Sequence, residues 1–216
     1  MAITLDIISS IVNGASVRSW THTNGALTNG VAVVAIMNYG EVPFTTCSAT
    51  FNSVDMGAAV VFGHSEGYVA AAIFVLPVGN LAAGGHTVAC TFNGTGATAN
   101  CACWTLNGVH QTTPVRSSGE EHTLSNSSSI TLNPTVVGDY CINAEANRYD
   151  NNPAPIPTAG QTLDYGPAGQ YAAGEYAVAI ANTQVMSWTY ASNTRHQIVA
   201  VALSPYINGY PKIINS

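Results

Sequence analysis

The chain has 216 residues with five Lys or Arg, eleven Asp or Glu and a net charge of −6. Charged residues make up 7% of it, against about 25% in typical soluble proteins. The cations Arg18, Arg116, Arg148, Arg195 and Lys212 are too few and too scattered to form the basic face that nucleic acid requires or a polybasic membrane anchor.

Long surface helices carry Glu, Lys and Arg in quantity, so few helices are expected. Ser, Thr, Asn, Gln and Gly supply the polarity, and with Val, Ile, Ala and Tyr this is strand-and-turn chemistry. Residues 1–10 lack a basic n-region and include Asp6, so they do not read as a secretory signal. The longest apolar run, 69–78, contains Pro77 and falls short of the roughly 18 residues of a membrane span.

In chain order, residues 3–12 predict an opening strand. Residues 15–22 predict a second, ended by Thr23-Asn24-Gly25, and 31–38 a central strand. Residues 45–54 and 58–62 read as a pair around a turn near Asp55. A strand over 68–76 is expected to stop at Pro77, which has no N–H to donate. Residues 86–92 and 98–106 read as a hairpin about Asn93-Gly-Thr-Gly-Ala, followed by strands at 123–132 and 135–146. Residues 148–158, with Pro153, Pro155 and Pro157, form a loop long enough to be a contact element. Strands at 170–181, 184–190 and 197–203 close the chain. The expectation is an all-β fold, an antiparallel two-sheet sandwich of jelly-roll type. One domain covers 1–205, with 206–216 as a C-terminal tail or arm.

Of the five cysteines, Cys47, Cys90, Cys101, Cys103 and Cys141, at least one has no partner within the chain. Cys90 and Cys101 flank the Gly-rich turn. They read either as a disulfide across adjacent strands or as small buried thiols. Cys101-Ala-Cys103 places two thiols on one strand face without the second ligand pair of a zinc site. The six histidines form no H-x-x-x-H or H-x-H pair. Asp150-Asn151-Asn152 resembles part of a calcium loop but lacks its alternation and closing Glu. No metal or cofactor is therefore assigned.

Gly63-His64-Ser65-Glu66-Gly67 matches the G-x-S-x-G nucleophile elbow, and Asp164 and His196 follow in the Ser, Asp, His order. That elbow belongs to a parallel sheet flanked by helices, which the rest of the chain does not supply. The segment reads as turn chemistry, and no catalytic residue is assigned. Glu120-Glu121 is the one adjacent acidic pair, and neighbours on a strand point to opposite faces, unlike a glycosidase pair across a cleft. Trp20, Trp104 and Trp188 read as core, with a sugar-stacking platform as the alternative. The tyrosines of 165–171 and 206–210 read as interfacial. Asn93-Gly-Thr95 and Asn126-Ser-Ser128 are glycosylation sequons.

The middle of the chain resembles a β-sandwich domain of phage structural proteins and bacterial surface proteins. The likeness rests on Val31-Ala-Val-Val-Ala-Ile, Ala49-Thr-Phe-Asn-Ser-Val, Phe74-Val-Leu-Pro77 and Gly84-Gly-His-Thr-Val88. It continues in Gly108-Val-His-Gln-Thr-Thr-Pro114, its most specific piece, then in Met186-Ser-Trp188 and Val199-Ala-Val-Ala-Leu-Ser-Pro205. Ser53 stands where the pattern has Gly, and the cysteines lie outside the pattern. The resemblance implies a jelly-roll-like sandwich with a surface or virion role and brings no catalytic residues.

The expectation is a non-enzymatic structural protein of a virus particle, a capsid decoration or accessory virion subunit, at the virion surface or extracellular. Its partners are protein subunits of a capsid or further copies of itself in a homo-oligomer, without nucleic acid or membrane. The alternative is a carbohydrate-binding or adhesin module of a secreted bacterial surface protein or filament, with a glycan as partner. A serine hydrolase at Ser65 is the remote alternative.

Overall fold

The computed structural model describes residues 1–12, 17–39, 44–65, 68–93, 98–147, 156–165 and 172–207. These residues are all-β, without a helix, and every strand pairing is antiparallel. The strands are β1 (Thr4–Val12), β2 (Val17–Asn24), β3 (Leu27–Tyr39), β4 (Cys47–Phe51), β5 (Val54–Asp55), β6 (Val61–Ser65), β7 (Val69–Leu81) and β8 (Gly84–Phe92). They continue with β9 (Thr98–Asn107), β10 (Val115–Leu132), β11 (Tyr140–Asn147), β12 (Ile156–Pro157), β13 (Thr162–Tyr165), β14 (Ala172–Val178) and β15 (Gln184–Leu203).

Three sheets form where the sequence suggested two. The central sheet runs β1-β9-β3-β7-β6, a first outer sheet runs β2-β8-β4-β5, and a second runs β10-β15-β11-β14-β13 with β12 added to β15. The reason lies in β3 and β7. Val31 to Met37 and Val69 to Phe74 are buried at every position, so both faces of these strands need cover, and alternate residues enter different cores. Val34, Ile36 and Phe74 pack with Phe51, Val88 and Phe92 of the first outer sheet. Val33, Ala35 and Ile73 pack with Ile142, Val199 and Val201 of the second.

Several local expectations change. The hairpin partner of β4 is the two-residue β5, reached through Asn52 and Ser53 at positive φ, while β6 joins β7 in the central sheet. β7 continues through Pro77, because the β3–β7 pairing shifts register at Gly30 there and Gly79 takes a positive φ. A bulge is where a strand tolerates proline. β8 and β9 do not form a hairpin: β8 pairs with β2 and β4, and β9 pairs with β1 and β3. Cys90 and Cys101 thus approach each other from facing sheets in one apolar core, and all five cysteines are free thiols. Of the two readings of Cys90 and Cys101, the structure has the small buried thiols and not the disulfide across adjacent strands. The intervening turn, 94–97, lies outside the described residues.

Residues 184–190 and 197–203 are parts of the single strand β15. It pairs with β10 along almost its whole length, but the ladder slips between Ser125↔Thr194 and Ser127↔Thr189. Such a slip bends a strand. Beyond it, Ile130, Leu132, Met186, Trp188 and Tyr190 share a core with Cys141, Ala177, Ala200 and Ala202 on the outer face of the second outer sheet. The distal ribbon, residues 126–132 and 184–190, therefore folds back over the sheet it extends.

Gly108–Pro114 ties these parts together. Gly79 N–H donates to Gln111 Oε1 at 2.9 Å, and Gln111 Nε2 donates to Gly30 O at 3.1 Å and to Val109 O at 2.9 Å. The Gln111 amide thereby satisfies backbone groups beside the register shift. Val109 is buried and bridges to Pro205.

Candidate functional site

The residues that sequence order set beside the G-x-S-x-G segment are each engaged elsewhere, and the Ser65 side chain lies outside the described parts. His196 is fully buried, and both ring nitrogens are engaged, Nδ1 with Glu145 Oε1 at 2.9 Å and Nε2 with Ser125 O at 3.0 Å. Asp164 Oδ2 accepts from Trp104 Nε1 at 2.9 Å. His64 is exposed against Phe62, and Glu66 and Gly67 lie outside the described residues. Gly63 has a packing reason. The Gln197 amide and the Glu120 carboxylate, themselves bonded at 2.8 Å, occupy the space a Cβ would take. The central and second outer sheets approach closely there.

Two networks of buried polar groups stand out. One joins β1, β2 and β9. Ser9 Oγ lies 2.6 Å from His22 Nδ1, His22 Nε2 lies 3.0 Å from Thr105 Oγ1, and Thr105 Oγ1 donates to Asp6 Oδ2 at 3.0 Å. Trp20 Nε1 donates to Ser9 Oγ at 2.8 Å. Burial, outweighing the nearby Asp6, lowers the His22 pKa to about 4. These hydrogen bonds join β2 of the first outer sheet to β1 and β9 of the central sheet.

The second network is the candidate functional site. It lies between the second outer sheet and the distal ribbon. Alternation along β11 puts Cys141, Asn143, Glu145 and Asn147 on the face that the ribbon covers. Their neighbours there are Glu175 of β14, in register with Asn143, and His196 of β15, in register with Asn147. Asn143, Glu145, Glu175 and His196 are completely buried. Asn147 Nδ2 donates to Glu145 Oε2 at 3.2 Å, and Asn143 Nδ2 donates to Glu175 Oε1 at 2.6 Å. From the ribbon, Tyr190 stacks on His196 with ring centroids 3.8 Å apart and lies 3.0 Å from Ser128 Oγ.

Burial raises the Glu175 pKa to about 8, with Glu145 and Asp164 adding repulsion and Asn143 opposing the shift. Burial also pushes Asp164 up to about 6 against the Trp104 hydrogen bond and holds Tyr190 well above the usual phenol range. Such a cluster can store and release a proton inside the fold.

The cluster draws on separate segments, and of its residues Ser128, Asp164 and His196 drew notice in the sequence, each for a different role. The signal was the polar i, i+2 stripe of Asn143, Glu145 and Asn147 inside an otherwise apolar strand. Among the described residues no group of three or more His, Cys, Asp or Glu is placed to hold a metal ion. The Asp150 segment lies outside those residues, as do most of the 148–158 loop and the tail from 208. Trp104 and Trp188 are fully buried, so neither belongs to a sugar-stacking platform. A shallow apolar groove of about 250 Å3 is lined by Phe51, Asn52, Val54, Leu76, Pro77, Val78 and Leu81. Among the described residues no helix is long and apolar enough to cross a membrane.

No protein-family model matches the chain, and no curated protein matches it. Among solved structures, the STIV MCP is 8% identical, with 92% of this chain and 97% of that one covered and a TM-score of 0.28. GK1651 from Geobacillus kaustophilus is 10% identical, with 97% and 99% covered and a TM-score of 0.28. The coconut allergen cocosin is 7% identical, with 94% and 85% covered and a TM-score of 0.21. Likenesses at this level carry no information about role.

Proposed function

We propose that the protein is a non-enzymatic structural subunit of a virus particle, a capsid decoration or accessory virion protein that works through protein–protein assembly. The observation that carries this reading is a charge-poor exterior with exposed aliphatic side chains. Glu145, Glu175 and Asp139 are fully buried and Arg18 nearly so, which leaves still fewer ionic groups outside than the composition implies. Val136 and Val137 stand exposed on one segment, and Val178 and Ile180 on another, with Ile180 82% exposed. The two segments are held side by side by Gly138 N–H to Ala179 O at 2.9 Å and Thr135 N–H to Asn182 O at 2.8 Å.

Low charge weakens the repulsion that keeps proteins apart, and clustered exposed apolar groups suit a surface that a neighbour covers. The test is sedimentation velocity over a wide concentration range, combined with binding to intact particles purified from the source. Concentration-dependent self-assembly or saturable particle binding is expected. A strict monomer at high concentration that ignores the particles overturns the proposal.

A further inference from the structure

The distal ribbon covers its sheet through two unlike sets of contacts. One is apolar but shallow, because Trp188 and Met186 rest with small residues such as Ala177, Ala200 and Ala202. The other is the buried polar cluster. There the sheet supplies Asn143, Glu145 and Glu175, and the ribbon supplies the side chains of Ser128 and Tyr190. Glu175 sits at the junction. Its Oε1 is held by Asn143, and Oε2 makes no close hydrogen bond among the described residues. The backbone N–H of Ser187, which donates to Gln161 Oε1 at 2.8 Å, also turns toward this carboxyl group.

We propose that the distal β10–β15 ribbon is a pH-gated flap: Glu175, protonated beneath it, holds the flap closed, and loss of that proton releases it.

Among the described residues, the titratable groups facing Glu175 are Glu145 from β11, Asp164 from β13 and Tyr190 from the ribbon. His196 of β15 stands one step away, paired with Glu145 and stacked on Tyr190. The two carboxyl groups raise the cost of a charge on Glu175, and Tyr190 is held in its neutral form. An ionised Glu175 is best solvated by admitting water, and the cover that can lift is the ribbon, hinged at the slip between Ser125 and Ser127.

The direction follows from linkage. The closed form holds the proton up to about pH 8, against an ordinary value of 4.5. Closure therefore has its full advantage below about 4.5, loses it as pH rises toward 8, and changes little beyond. Opening grows about tenfold per pH unit inside that window.

Hydrogen exchange of the intact protein, followed by mass spectrometry and corrected for intrinsic rates, tests the proposal. Peptides covering 126–132 and 184–190 are expected to lose protection about a hundredfold between pH 5.5 and 7.5, while β3 and β7 keep theirs. In Glu175→Gln the ribbon is expected to stay equally protected at both pH values. Three results overturn the proposal: ribbon protection independent of pH, protection lost equally in β3 and β7, or the same pH dependence in Glu175→Gln, which would move the proton elsewhere. If the variant does not fold, the contrast in the wild-type protein between ribbon and central strands still decides.

Discussion

The central sheet and the ribbon-covered sheet are both buried on two faces but are held together differently. Around β3 and β7 cohesion comes from apolar area, which depends little on pH and has many replaceable contributors. Beneath the ribbon the floor is mostly alanine, with Cys141 and Ile198, and polar groups must each find a partner or carry an uncompensated cost. The first arrangement spreads its cohesion over many apolar contacts, apart from the Gln111 clamp. The second concentrates its sensitivity in a few protons.

The largest effect should come from the central sheet. Phe74→Ala removes a fully buried ring and is expected to cost about 3–5 kcal/mol, equally at pH 5 and pH 8. Urea denaturation at both values checks it, and a strong pH dependence of the loss would erase the contrast. Gln111→Ala probes the polar clamp of the central sheet. It leaves the Gly79 N–H and the Gly30 carbonyl without this partner, for an expected loss of about 2–3 kcal/mol. A thermal midpoint unchanged from wild type would mean that burial alone holds the shifted register.

The smallest effect concerns Asp164, where the aromatic core meets the second outer sheet. Its carboxyl pKa is raised from 3.8 to about 6, so its contribution to stability is full below about pH 4 and lost as pH rises through 6. Asp164→Asn should match wild type near pH 4 and exceed it by about 1 kcal/mol at pH 7, the full linkage value being reduced by partial exposure. Paired denaturation curves at the two pH values measure it, and an Asn variant less stable at pH 7 would assign the Trp104 hydrogen bond the larger share.

Much of the fold was legible because it follows from local pattern. The apolar runs at 31–37 and 69–75, the turn residues and the scarcity of Lys and Glu pointed to antiparallel strands. What was not legible depends on where strands go after they form. Cys90 and Cys101 flank a turn that looks like a hairpin, yet a turn signal does not say whether the chain returns to the same sheet or crosses to the facing one. The third sheet was implicit in two runs with no polar side, since a strand covered on both faces needs two neighbours. The G-x-S-x-G match misled because five residues cannot distinguish a strained nucleophile turn from a glycine that makes room for Gln197. The carboxyl cluster draws Glu145, Glu175 and His196 from separate segments, and only pairing places them together.

Gln111 leads to a different point. Surface loops are ordinarily where a chain accepts insertions and substitutions. Residues 108–114 do not have that freedom, because the amide at 111 must arrive at one position between Gly30 and Gly79, and Gly108 holds a positive φ against the backbone of Ala2. A shift of one residue here would misplace a hydrogen-bonding group that the central sheet lacks on its own. This connection should therefore drift more slowly through evolution than the strands it joins, and tags or grafted epitopes belong elsewhere on the molecule.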